Sequence, residues 1–224
     1  MTKEEKKAAK AHRRQSLSLR QRFYAYVKRV LSFVIAFPMS IALAPLFVVV
    51  AVAIKADDRG PVFFKQLRTG KYGQNFYVYK FRTMRADNDA LNFGIENQYT
   101  KTGKFLRATS IDELPQLYNI IRGEMCFIGP RPWMTEYYDL MNARQRHRVD
   151  VTPGITGLAQ AKGRNDISIF EKIDYDLDYI KHYSFKEDVK VVLLSVEAVL
   201  SRTGADASKS TIQTELDNLK SQSA

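Results

Sequence analysis

The sequence predicts a mixed α/β chain, mostly helical, that meets a membrane through a proline-broken helix near its N-terminus. Three observations predict this class. Val30 to Ile54 runs for roughly 25 residues without a charge, bracketed by Lys28, Arg29 and Lys55. An unbroken helix of that length would reach about 37 Å, enough to cross a bilayer. Pro38 and Pro45 lie inside it, and each removes a backbone donor and crowds the preceding turn. Beyond it, two short β-prone runs flank a glycine-rich turn, and the remaining segments carry helical periodicity between Gly and Pro breaks.

Taken in order, residues 1–28 are rich in Lys, Ala and Arg with weak apolar periodicity, which suits a solvated or interfacial helix. The apolar segment ends at Gly60-Pro61. Val62 to Gln66 and Asn75 to Lys80 read as strands, and Thr69-Gly70-Lys71-Tyr72-Gly73 between them supplies a hairpin turn. Residues 86–104 are polar and read as a loop or loose helix. A helix is expected from Ser110 to Arg122, ended by Gly123. Gly129-Pro130-Arg131-Pro132 is stiff and non-helical, and Trp133 to Arg148 reads as the next helix. Pro153-Gly154 turns into a short strand, Ile155 to Gln160. Ile167 to His182 and Asp188 to Ser201 are helical, the second strongly apolar along one side. The last 20 or so residues are polar, lack a core pattern and are expected to be mobile.

Composition narrows the function classes. Cys126 is the single cysteine, which excludes a disulfide framework within the chain and fits a reducing compartment. The net charge of +11 invites a nucleic-acid reading, but its placement argues against one. Residues 1–29 hold 10 Lys/Arg against 2 acidic residues, and the remainder is close to balance. A basic lead before an apolar segment fits the anionic cytoplasmic surface of a membrane. Lys55, Arg59, Lys65 and Arg68 crowd the other flank, which favours both ends on the cytoplasmic side over a simple spanning anchor.

The three histidines are scattered, and no Walker loop or dinucleotide fingerprint is present. Chemistry concentrates in Arg107-Ala-Thr-Ser-Ile-Asp-Glu-Leu-Pro-Gln-Leu. Its structural reading is a capping box, Ser110 to Glu113, with Asp112 favouring the helix dipole. Pro115 sits awkwardly for that register. The functional reading sets adjacent carboxylates beside Arg107, one to attack phosphorus and the other to hold a divalent cation or move a proton. Arg131 on its stiff loop, and Arg164 with Asn165 after Gly163, are further candidates, although by spacing alone such residues are more often surface residues.

Several segments in order carry a resemblance. They are Gly60-Pro-Val-Phe-Phe-Lys-Gln, Tyr79-Lys-Phe-Arg-Thr-Met, Leu106-Arg-Ala-Thr-Ser-Ile-Asp-Glu-Leu-Pro-Gln-Leu, Gly123-Glu-Met-Cys-Phe-Ile-Gly-Pro-Arg-Pro and Pro153-Gly-Ile-Thr-Gly-Leu-Ala-Gln, with Gly163-Arg-Asn, Asp176 and Tyr179 following. From about Lys28 to Arg202 the chain resembles the small monotopic phosphoglycosyl transferases, bacterial enzymes that prime glycan assembly on a polyprenol phosphate. The resemblance implies a re-entrant membrane helix broken at a Ser-Pro pair, here Ala44-Pro45, with Pro38 an additional break. Ser32 stands where the family usually has Asp.

It further implies that Asp112 attacks the sugar-bearing phosphorus of a UDP-sugar, releasing UMP. Polyprenol phosphate then takes the phosphosugar from the covalent aspartyl intermediate. Glu113 would help bind Mg²⁺, shared with Asp112, or take a proton. Lys80, Arg82, Arg107, Arg131, Arg164, Asn165, Asp176 and Tyr179 would contact substrate. The implied organisation is a basic tail (1–28), a re-entrant helix (29–56), a cytosolic catalytic domain (57–204) and a polar tail (205–224). The expected place is the cytoplasmic face of the bacterial inner membrane, with no nucleic-acid partner; a homodimer, the sugar and the polyprenol length stay open. The alternative reading is a catalytically silent, membrane-anchored scaffold of a polysaccharide assembly complex.

Overall fold

The computed structural model describes residues 17–85, 99–163, 167–200 and 212–223. The first helix, α1 (Leu19–Ala42), opens on a capping box in which Ser18 and Gln21 satisfy each other's backbone N–H groups. It continues through the position where the basic lead was expected to end, so Lys28 and Arg29 lie within one continuous helix. Among the described residues α1 is the helix long and apolar enough to cross a membrane.

Pro38 does not break α1, contrary to expectation, and the helix runs past it to Ala42. The interruption falls at Leu43, after which α2 (Ala44–Asp57) starts with Pro45 in its first turn. Proline is best tolerated there, because that N–H would have no helical partner in any case. Two turns earlier, Pro38 removes one bond from a helix whose neighbouring turns remain intact. Along α1 and α2 an inner stripe (Ser32, Ala36, Val50, Ile54) is buried, while Val34, Ile35, Phe37, Ile41, Val48, Val49 and Val52 are exposed.

The hairpin forms as expected but is longer. Strand β1 (Phe63–Thr69) pairs antiparallel with β2 (Asn75–Phe81), in register from Phe63↔Phe81 to Thr69↔Asn75. Tyr72 and Gly73 both take positive φ in the turn. Helix α3 (Lys101–Ala108) starts inside the segment read as a loop or loose helix, with Thr100 as its N-cap. It lies so close to Thr83 that a Cβ on Gly103 would meet the Thr83 carbonyl oxygen at 1.9 Å.

The helix expected from Ser110 to Arg122 is divided. Ser110 is left-handed, Ile111–Glu113 is one 3₁₀ turn, and α4 (Gln116–Ile121) begins only after Pro115. Gly123, at φ +74°, ends α4 as expected. Asn119, fully buried in α4, stitches the helix to the hairpin: its Nδ2 donates to the Tyr77 carbonyl at 2.7 Å and its Oδ1 accepts from Tyr79 N–H at 3.2 Å. Ala36 of α1 packs with Leu117, Ile120, Val78 and Met125, so the first helix, α4 and the hairpin share one core cluster.

A second, parallel pair joins β3 (Cys126–Ile128) to β4 (Gly154–Thr156). The strand expected over Ile155–Gln160 stops after Thr156, and α6 (Leu158–Lys162) takes over its second half. Between them, the expected helix from Trp133 to Arg148 is split into α5 (Thr135–Leu140) and a 3₁₀ turn, Gln145–Val149. Asn142 and Gln145 cap each other's backbone in the gap, the usual competition of a short amide with helical bonding.

Helix α7 (Ile169–Lys181) carries a Ser168/Glu171 capping box, and α8 (Phe185–Leu200) follows. Lys28 of α1 is buried against this pair, 2.6 Å from Asp188, with Tyr24 and Tyr179 also donating to Asp188. The expected mobile tail is corrected in part: residues 212–223 form α9 (Ile212–Ser223). Leu216 and Leu219, three apart in an otherwise polar segment, dock on Tyr137, Met141, Ile169 and Ile173. Glu215 adds bonds to Tyr137 and Lys172.

Candidate active site

The site is built where β2, the 3₁₀ turn and the loop after β3 converge. Ile111 packs with Val50, Ile54, Phe81 and Leu106, which anchors the turn on α2 and α3. Ser110 reverses the chain just before it at φ 58°, ψ 15°, with no side-chain cap bond. A left-handed non-glycine residue costs of order 1–2 kcal/mol and is held only by surrounding structure. The capping-box reading therefore fails: Ser110 caps nothing, and Glu113 turns elsewhere. The dyad also sits on a 3₁₀ turn and not in the first turn of a long helix, so aligned peptide dipoles contribute little there.

Glu113 receives two cations on one oxygen. Its Oε1 lies 2.6 Å from Lys80 Nζ and 2.7 Å from Arg131 Nη2. Burial pushes the Glu113 carboxyl up, but Arg131 and Lys80 together outweigh it and hold the group well below the usual carboxylate range. Asp112 has the opposite balance. It is 7% exposed, and its nearest cation, Lys80, is 3.8 Å away. Burial raises its pKa, Lys80 opposes this, Glu113 adds to it, and the net shift is upward. Lys80 in turn is lowered by burial. Two adjacent carboxylates thus differ in character, one firmly ionised and one carrying a more basic oxygen.

Arg131 is placed by its loop. Gly129 N–H donates to Thr156 O at 2.8 Å and Gly154 N–H to Pro130 O at 3.1 Å, which ties the loop to β4. The Arg131 carbonyl accepts from Arg148 at 2.9 Å, and Arg148 is itself paired with Asp176 at 2.5 Å deep in the interior. The Arg148 guanidinium also lies 3.8 Å from the Trp133 ring centroid.

Of the expected site residues, Lys80, Asp112, Glu113 and Arg131 come together. Arg107 stands exposed at the margin, stacked 4.7 Å from the Tyr99 ring centroid yet near enough to favour the Asp112 charge. Three lie elsewhere. Arg82 is committed to Asp58, Asp176 to Arg148, and Tyr179 to Lys28 and Asp188. Arg164 and Asn165 lie outside the described residues. Asn119, Arg148 and Arg68 were not anticipated; a buried amide or guanidinium that orients backbone has no spacing rule to reveal it.

Two openings flank the turn. An open cleft lies on one face of the hairpin, lined by Gln66, Arg68, Lys80, Gln116 and Arg131 among others. An apolar cavity of about 380 Å³ lies between the α1–α2 break and the other face, lined by Ser40, Phe47, Phe63, Tyr79, Pro115 and Leu117 among others. Pro115 and Gln116 are consecutive and line one opening each. Among the described residues no group of three His, Cys, Asp or Glu is gathered around a point. The carboxylates on offer to an ion at this site are Asp112 and Glu113.

Residues 23–202 match the family model described as bacterial sugar transferase. The chain belongs to that family. An uncharacterized sugar transferase, EpsL, of Bacillus subtilis is 44% identical over 161 residues, covering 71% of this chain and 79% of that protein. A UDP-glucose:undecaprenyl-phosphate glucose-1-phosphate transferase of Caulobacter vibrioides is 40% identical, covering 80% and 71%. A UDP-N-acetylgalactosamine-undecaprenyl-phosphate N-acetylgalactosaminephosphotransferase of Aeromonas hydrophila is 37% identical and covers 81% of this chain, which spans 45% of that longer relative. The matched span of this sugar transferase includes the hairpin, the dyad and the Arg131 loop.

Proposed function

We propose that the protein transfers a sugar phosphate from a UDP-sugar to undecaprenyl or a related polyprenyl phosphate, through a covalent intermediate on Asp112, with release of UMP. The observation that carries this reading is the split dyad: Glu113 saturated by Lys80 and Arg131, and Asp112 beside it with a raised pKa. The activities for which the relatives are named supply the reaction class. In the first half-reaction an Asp112 oxygen bonds to the sugar-bearing phosphorus. The bond from that phosphorus to the bridging oxygen breaks, and the electron pair leaves with UMP. In the second, an oxygen of the lipid phosphate displaces Asp112 and restores its carboxylate. Splitting one displacement into two is the advantage of a protein nucleophile.

Of the two roles open to Glu113, ion binding is favoured over proton transfer, because a carboxylate held so far below its usual range is a weak base. Both of its cationic partners use Oε1. An all-oxygen donor pair fits Mg²⁺ in the mode where one or two carboxylates share the ion with substrate phosphates. When bound, the ion would neutralise charge on the diphosphate. EDTA is expected to stop turnover and Mg²⁺ to restore it; full turnover in EDTA would remove the ion from this reading.

A site on the cytoplasmic face of the inner membrane, reached by a re-entrant α1–α2 pair, suits a water-soluble donor and a lipid acceptor. Support comes from the exposed apolar flanks of α1 and α2, the exposed Phe185, Val189, Leu193 and Val196 on α8, and the apolar cavity adjoining Pro115. The deciding experiment measures UMP release by protein in nanodiscs with Mg²⁺, polyprenyl phosphate and a panel of UDP-sugars. One donor should give UMP, and Asp112→Asn should abolish release while remaining folded. Wild-type turnover in Asp112→Asn would overturn the nucleophile assignment.

A further inference from the structure

Arg68 stands in the cleft with no acidic partner among the described residues. Its guanidinium donates to Gln66 Oε1 and, at 3.4 Å, to the Pro132 carbonyl. Burial and the neighbouring Arg131 lower its pKa to about 10. Arg68 is half-buried, and a guanidinium partly withdrawn from water next to a second cation is costly unless an anion is supplied. On the hairpin, Phe64, Gln66 and Arg68 share one face of β1 with Val78 and Lys80 of β2, and Lys80 pairs across with Phe64. Arg68 therefore starts four residues, about 13 Å, along the strand from the Lys80 end. Its side chain leans back toward Gln66. The cleft thus carries one cationic group at the dyad, Lys80 with Arg131, and a further cation beyond it. Glu113 already answers the first group; among the described residues no carboxylate pairs with Arg68, and Glu113 and Glu136 favour its charge only from a distance.

We propose that Arg68 forms a phosphate subsite used twice in each catalytic cycle. This rests on the function proposed above. In the first half-reaction the subsite takes the phosphate that departs with the nucleotide, whose bridging oxygen gains the electron pair of the broken bond. Displacement at phosphorus keeps entering and leaving oxygens in line. Asp112 attacks from one side in the first step and leaves from that side in the second. The incoming lipid phosphate must therefore occupy the place that UMP vacates. One planar guanidinium can grip either phosphate through the same pair of donors.

The test compares wild type, Arg68→Gln and Arg68→Lys for kcat/KM toward the UDP-sugar and toward polyprenyl phosphate, with thermal melts to confirm folding. Loss of a charge-assisted bond predicts a fall of about 10- to 100-fold toward both substrates in Arg68→Gln, with partial recovery in Arg68→Lys. UMP affinity should fall by a similar factor while uridine affinity holds. A fall toward the donor alone, or values within about 3-fold of wild type toward both, overturns the shared subsite. On the wild-type enzyme, UMP should inhibit competitively against the lipid and noncompetitively against the donor; the reverse pattern overturns the proposal even if Arg68→Gln does not fold. Absence of UMP from wild type with every donor would instead count against the functional reading itself.

Discussion

At the residue scale the site depends on an unequal division of charge between neighbours. Asp112 and Glu113 are adjacent in sequence, yet the 3₁₀ turn hands both nearby cations to Glu113 and leaves Asp112 dominated by burial. The sign of the pH dependence follows. Asp112 is ready to attack only when ionised, and its raised pKa means that form is lost as pH falls through a value above the ordinary aspartate range of about 3.9. The kcat/KM for the donor should therefore show an ascending limb above that range. Lys80 is the largest influence opposing burial, so Lys80→Met should move the limb to higher pH and lower the rate below it. A limb that stays in place in a pH–rate profile of the variant would show that Lys80 does not tune Asp112. The residue types of this site were legible in the sequence. The identity of the cations nearest each carboxylate was not, because Lys80 is 33 positions before Glu113 and Arg131 is 18 after it.

Elements matter here chiefly through their interruptions. A continuous helix from Ser110 would have carried Asp112 and Glu113 in the first turn of one long element, with Pro115 inside it. The left-handed Ser110 and Pro115 instead isolate the dyad on a turn of its own, while Asn119 fixes α4 to the strand that carries Lys80. The Arg131 arm depends on the short parallel pairing of β3 and β4, where backbones approach closely. A Cβ on Gly154 would meet Gly129 N at 2.2 Å and Ile128 C at 2.5 Å, backbone atoms with no rotamer to yield. Gly154→Ala should therefore lower stability by about 1–3 kcal/mol and displace Arg131. Reduced UMP release beside a lowered Tm is the expected result; an unchanged Tm with full activity would mean the two strands can part without disturbing the arm. Sequence patterning recognised the hairpin, α7 and α8 well, because each has clean periodicity and punctuation. It over-extended helices at Ser110 and Trp133, where local amides and a proline competed with the apolar pattern.

On the scale of the whole molecule, the apolar N-terminal helix is part of the body and not a detachable anchor. Ala36 of α1, followed by Val50 and Ile54 of α2, belongs to its core clusters, and Lys28 is buried against Asp188, both side chains 6% exposed. Removing one member of such a pair strands the other charge. Lys28→Met should cost about 3–5 kcal/mol, whereas Lys28→Met with Asp188→Leu should recover much of that loss. Thermal melts in nanodiscs would check it, and equal destabilisation by the single and double variants would argue against an uncompensated Asp188. Ala36, packed on Leu117 and Ile120 of α4 and Val78 of β2, gives the elements beside the dyad a fixed relation to α1. That is what a site at the headgroup level requires if a soluble donor and a lipid acceptor are to meet on it.

By itself the sequence determined the apolar segment and its flanking charge, the hairpin, the clustering of chemistry around Asp112 and Glu113, and the resemblance that named the family. These are properties of local composition, period and motif order, and they survive without knowledge of any distant contact. Only the tertiary structure decided that Pro38 adds no second break, that Arg82, Asp176 and Tyr179 are committed to partners away from the dyad, and that a polar C-terminal segment docks through two leucines. It also set Arg68 in the cleft with no carboxylate paired to it among the described residues. Each of those outcomes turns on which charge or surface lies opposite a residue, and pairings between positions tens of residues apart leave no periodic trace in the chain.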